Sequence, residues 1–231
     1  MKRAILSFIF IINFVSFVSA MSADATAADT KLNDILIALE RNDNATENVK
    51  FTYKQEIQYV LTKETQHNSG EMIFDKPNNF YFKQYNPLEQ NIISNGKKVW
   101  VYTPSYKQVV VGDWKIWLKS GFIPNSSISM SLNWTELKQH YSFYYMGEEE
   151  NCYVIQLTPL KGINAPASSV LSGWKMKLWF NSQDYKLTRA DLIGENVNVV
   201  TRVSDYIINS KINKNIFNFK APSGVEVMKM Q

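Results

Sequence analysis

The chain has 231 residues, 45% apolar and 13% aromatic, with 25 Lys and Arg against 21 Asp and Glu. That length suits a single domain, and a charge this near neutral gives a nucleic-acid partner no electrostatic support. One cysteine, Cys152, excludes an internal disulfide; on a predicted strand it reads as a small buried hydrophobe.

The first twenty residues read as a secretory signal peptide. Lys2 and Arg3 are its charged start, Ala4 to Val18 its apolar run, and Val18-Ser19-Ala20 its small-residue cleavage site. The run is shorter than the ~20 residues of a bilayer span, which argues against a membrane anchor. Removing residues 1–20 takes two basic residues and no acidic one, so the net charge falls from +4 to +2 and residues 21–231 remain as one domain. A lipid-bearing protein needs a cysteine just after its signal. Met21 and Ser22 stand there, so the exported chain is expected to be soluble.

Residues 24–29 are small and alanine-rich and read as a flexible start. Leu32, Ile35, Leu36 and Leu39 then recur at helical spacing, with Asp29 or Thr30 as N-cap, which predicts a helix of three to four turns. It either packs on a sheet or covers a cavity; the stripe alone does not separate the two. Val49 to Leu61 alternates Val49, Phe51, Tyr53, Ile57, Tyr59 and Leu61 with polar residues, a long strand with one apolar face. His67-Asn68-Ser69-Gly70 reads as the loop that follows.

Residues 70–111 read as five short strands. The breaks are Lys76-Pro77-Asn78-Asn79, Asn86-Pro87, Asn95-Gly96 and Thr103-Pro104-Ser105. Proline cannot donate to a ladder. Asn-Gly is a strong hairpin signal, predicting a primed turn with positive φ at both centres. Between the breaks lie Phe80, Tyr81, Phe82, Tyr85, Ile92, Ile93, Val99, Trp100, Val101 and Tyr102. Residues 112–140 mix Trp114, Ile116, Trp117 and Leu118 with Gly121 and Pro124 and read as short helices and turns. Strands resume at Tyr141–Met146 and Cys152–Thr158, around an acid-rich turn expected to be solvated. After a loop, Trp174–Phe180, Lys186–Ile193 and Val197–Ile208 form a final meander. The count is about eleven strands, antiparallel by turn length.

Chemistry is sparse. His67 and His140 have no ligand-spaced partners, so no metal site is expected. There is no Gly-x-Ser-x-Gly elbow and no Gly-rich phosphate loop. Scattered carboxylates leave a paired-acid hydrolase open without favouring it. Thirteen Phe, twelve Tyr and six Trp stand out instead, on both faces of some strands. Such a sheet is either a sandwich-like core or a curved sheet whose apolar face holds acyl chains.

The run of Lys-Pro-Asn, Phe-x-Phe, Asn-Pro, Gln, Asn-Gly-Lys, Val-Trp-Val-Tyr-x-Pro and Gln-Val through 70–111 resembles the core of the LolA family. Phe51-Thr52-Tyr53-Lys54-Gln55 resembles the family's first strand. Residues 216–227 resemble its closing Phe-x-Phe-x-x-Pro-x-Gly-Val-x-Val signature. LolA proteins are periplasmic carriers of outer-membrane lipoproteins.

The resemblance implies an incomplete antiparallel β-barrel with a helical lid over a hydrophobic cavity. Phe51, Tyr53, Phe80, Phe82, Trp100 and Tyr102 would line the cavity. Lys76, where the family usually has arginine, would hold lid carbonyls without the planar fork. It further implies a periplasmic monomer with no cofactor and no catalytic step. Its partners would be acylated lipoproteins, an inner-membrane ABC transporter complex and a lipid-anchored outer-membrane receptor. Two other readings stay open: an envelope-stress sensor module of the same fold that binds mislocalised lipoproteins, and a secreted hydrolase.

Overall fold

The structure, a computed structural model, describes the backbone of residues 9–116, 137–139, 141–160 and 174–230, and side chains from residue 27 on. One long helix, α1 (Ile9–Ala45), precedes twelve strands. They are β1 (Asn48–Tyr59), β2 (Thr65–Asp75), β3 (Asn79–Asn86), β4 (Gln90–Asn95), β5 (Lys98–Thr103), β6 (Gln108–Asp113), β7 (Tyr141–Glu149), β8 (Cys152–Pro159), β9 (Lys175–Asn181), β10 (Leu187–Ile193), β11 (Val197–Ile208) and β12 (Glu226–Lys229). All twelve share one open sheet, ordered β12-β6-β5-β4-β3-β2-β1-β11-β10-β9-β8-β7. The predicted class holds, with one strand more than expected. β12 was not foreseen, and it pairs parallel to β6 where every other neighbouring pair is antiparallel.

The helix is longer than its stripe. No Gly or Pro occurs before Gly70, and the alanine-rich stretch read as flexible is good helix former, so α1 runs unbroken from Ile9 and Asp29 caps nothing. The expected cleavage after Ala20 falls inside it. Among the described residues, no helix is long and apolar enough to cross a membrane.

Three turn readings change. His67–Gly70 lies within β2, and the β1–β2 connection is the turn at residues 60–64. At Asn95-Gly96 only Gly96 takes positive φ, at 77°. The Asn95 side chain instead accepts from the Lys97 and Lys98 amides at 3.0 and 2.9 Å. The primed turn sits at Glu150-Asn151, with φ of 50° and 60° between the paired residues Glu149 and Cys152. The acids beside it are not merely solvated: Glu149 accepts from Trp179 Nε1 at 2.9 Å. Cys152 is free and buried with Val154 and Trp179. Of residues 112–140, Gly112 and Asp113 end β6 and 114–116 are helical; most of the rest, with His140, lies outside the described residues.

Two apolar clusters form on one face of the sheet. Ile35, Leu36 and Leu39 of α1 pack on Ile155, Leu157, Met176, Leu178, Phe180 and Leu187, so the predicted stripe is the packing face. The second cluster, on β1 to β5, is Phe51, Met72, Phe74, Phe80, Ile92, Val99 and Val101.

Candidate functional site

The face that carries α1 is set by register. Paired residues in an antiparallel ladder share a face. The pairs Phe51–Met72, Met72–Phe82, Phe82–Ile92 and Ile92–Val101 therefore run one apolar row across five strands. A second row runs Phe74–Phe80, Phe80–Ser94 and Ser94–Val99. Phe80 is 5% exposed and meets the Trp114 ring at 5.7 Å. Tyr53 is buried and stacks on Phe82, centroids 5.2 Å apart. Gly70, across the ladder from Tyr53, makes that fit possible. A Cβ there would stand 2.1 Å from the Lys83 carbonyl oxygen and 2.7 Å from the Tyr53 ring.

Four of the six expected lining residues, Phe51, Tyr53, Phe80 and Phe82, thus stand together on the helix-side face. Trp100 and Tyr102 do not. An even-length loop between β4 and β5 switches odd and even positions, so Val99 and Val101 face α1's side and the Trp100 and Tyr102 rings face away. Tyr102 packs on Phe219 at 5.3 Å, under the C-terminal segment whose Phe217 is also buried.

The helix is fastened at its C-terminal end. The last carbonyls of a helix lack internal partners, and the dipole there favours a cation. Lys76, from the β2–β3 turn, donates from Nζ to the Asp43 carbonyl and lies 3.6 Å from the Asp43 carboxylate. Asn209, after β11, donates from Nδ2 to the Ala45 carbonyl at 2.9 Å. Its Oδ1 accepts from the Glu47 amide at 2.7 Å. Asn42 donates to the Asp184 carbonyl at 3.3 Å. Burial pushes the Asp43 carboxyl above the usual carboxylate range, and Lys76 opposes that shift. Beneath this end lies a cavity of about 370 Å³, lined among others by Leu39, Asp43, Val49, Phe180, Leu187 and Tyr206. The resemblance pointed to Lys76 as a latch, and its amine lies on the last turn of α1. Sequence reasoning missed Asn209, a lone polar residue that becomes legible only once β11 ends beside the start of β1.

Among the described residues, no three His, Cys, Asp or Glu side chains converge. The arrangement is a broad apolar sheet face, part covered by a helix that side-chain hydrogen bonds hold down. That layout defines an open-sheet protein with a covered apolar face. The family model described as outer membrane lipoprotein carrier protein LolA matches residues 44–220, and the chain belongs to the LolA family. The outer-membrane lipoprotein carrier protein of Hahella chejuensis (strain KCTC 2396) is 26% identical over 215 residues, spanning 92% of this chain and 95% of that one. That of Idiomarina loihiensis is 23% identical over 230 residues, 98% of each chain. An uncharacterized conserved protein from Thermus thermophilus superposes with a TM-score of 0.56 at 12% identity, covering 87% of this chain and 99% of that one, a likeness of fold alone.

Proposed function

We propose that this chain is a periplasmic carrier that hides the acyl chains of lipoproteins between membranes. Residues 1–20 direct export and are removed, and the unlipidated remainder moves freely. It takes cargo from an inner-membrane ABC transporter complex and passes it to a lipid-anchored outer-membrane receptor, with no catalytic step of its own.

The observation that carries this reading is the pair of apolar rows on the helix-side face, through Phe51, Phe80 and Phe82, beside a helix that packs through Ile35, Leu36 and Leu39 and is fastened at its C-terminal end by a few hydrogen bonds. Each methylene taken out of water is worth roughly 0.8 kcal/mol, so one long acyl chain gains on the order of 10 kcal/mol. Apolar contact is not directional, so many lipoproteins fit one face. The cover must release at low cost, because a ligand shifts an equilibrium only by its differential affinity for the two states. Lys76 and Asn209 fasten the C-terminal end of α1 and Ile35, Leu36 and Leu39 hold the rest, so bound cargo has to offset the loss of both sets of contacts.

A transfer assay tests this. Purified protein is offered a fluorescent lipoprotein held in inner-membrane vesicles with their transporter. The carrier releases soluble cargo that receptor-bearing vesicles then take up. No soluble cargo above background contradicts the reading.

A further inference from the structure

A polar row interrupts the helix-side face along β1. Val49 and Phe51 are apolar, Gln55, two residues beyond Tyr53, is polar, and Ile57 beyond it packs on the α1 cluster. The polar row crosses three strands. Gln66 Nε2 donates to Asn68 Oδ1 at 2.8 Å, Asn68 Nδ2 to Gln55 Oε1 at 3.2 Å, and Gln55 Nε2 to Thr201 Oγ1 at 3.0 Å. These groups answer one another.

Tyr53, at the border between the apolar rows and this row, does not share in it. Its hydroxyl is buried and has no hydrogen-bond partner among the described residues. A buried donor left unsatisfied is costly, and a Phe would cover Gly70 and stack on Phe82 equally well. Trp174 Nε1 and Asn198 Oδ1 likewise lack partners among the described residues, but neither lies at this border. Packing therefore accounts for the ring of Tyr53 and not for its oxygen.

We propose that the Tyr53 hydroxyl donates to an ester carbonyl at the head of the bound lipid, so that the face reads an acylated glycerol rather than hydrocarbon alone. The inference rests on the carrier reading and names its substrate class more finely. Acyl chains lie along Phe51, Met72, Phe80 and Phe82. Their ester carbonyls, which accept but cannot donate, meet Tyr53. The polar glycerol and the first residues of the polypeptide follow the row of Gln55, Asn68 and Gln66. Burial pushes the Tyr53 phenol well above its ordinary range, which keeps the proton on the oxygen. The row supplies both donors and acceptors, matching the mixed groups of glycerol and peptide.

The test compares two lipopeptides with the same peptide and equal chain lengths, one diacyl with ester linkages, the other dialkyl with ether linkages. Binding to the purified protein is measured by displacement of a fluorescent fatty amphiphile. The wild type is expected to hold the ester probe about tenfold tighter. Tyr53→Phe should bind both probes at the ether level while melting no lower than the wild type. A wild type that binds both probes equally overturns this inference and leaves the carrier reading standing. A wild type that binds neither overturns both. A Tyr53→Phe variant that keeps the ester preference, or melts well below the wild type, gives the hydroxyl another role and overturns the inference.

Discussion

Lys76 and Asp43 form a pair whose parts do different work. The Lys76 amine donates to the Asp43 carbonyl, which also accepts from the Thr46 amide at 3.0 Å, and faces the Asp43 carboxylate, which burial alone would raise. Lys76→Leu removes both interactions. It should lower stability by about 1–2 kcal/mol while the sheet stays folded, and amide exchange should speed up in the last turn of α1. The pH dependence has a definite sign. A carboxyl raised in the folded state favours folding when protonated and loses that advantage as pH rises through the raised value. Without Lys76 the Asp43 carboxyl rises further, so the melting-temperature gap between wild type and Lys76→Leu should widen from pH 4 to pH 7. A constant gap would show that the carboxylate plays no part. Gly70 offers a sharper case. Gly70→Ala places a Cβ against the Lys83 carbonyl in mid-sheet, so the variant should lose upwards of ~3 kcal/mol or fail to fold; a wild-type melting curve contradicts the close approach. Cys152, buried beside Val154 and Trp179, should react slowly with a polar thiol reagent in the native protein, and Cys152→Ala should export and bind normally.

At the scale of elements, Phe80 decides between packing and lipid contact. It is nearly fully buried, touching Trp114 and sharing a cluster with Phe74 and Val99. Phe80→Ala should therefore cost about 3–5 kcal/mol, measured by denaturant unfolding. Phe80→Glu adds an unpaired charge and should weaken the fold as well as cargo binding; a well-folded Phe80→Glu variant with normal transfer contradicts both roles. How these elements read from sequence follows their physics. The five strands read in 70–111 were legible because proline and asparagine breaks interrupt apolar alternation. The inward set at β5 was legible in principle too, because any even loop hands the face from even to odd numbers. The bulk of Trp100 and Tyr102 drew the expectation instead of the parity that excludes them. β12 was not legible: Glu226 to Lys229 is exposed and short, and it is a strand only because β6 offers an edge. The true start of α1 was hidden by reading small residues as flexible where they are good helix formers. The primed turn at Glu150-Asn151 carries no glycine to announce it.

At the scale of the molecule, one open sheet serves two purposes. The half from β7 to β11 anchors α1 through a conventional core, and the half from β1 to β6 carries the apolar rows. Tyr53 and the row from Gln66 to Thr201 lie near the seam, where β1 pairs with both β2 and β11. The rows are held by ladder hydrogen bonds and not by the helix, whereas moving α1 uncovers the cluster around Ile155, Leu157 and Leu178. On the proposed reading, acyl chains occupy this face in the cell. The direct measurement is intact mass spectrometry of the protein recovered under non-denaturing conditions from the periplasm. A fraction carrying an acylated polypeptide at one-to-one stoichiometry, lost on addition of detergent, is the predicted result. Protein recovered free of any acylated polypeptide, from cells whose lipoprotein release is active, would contradict it.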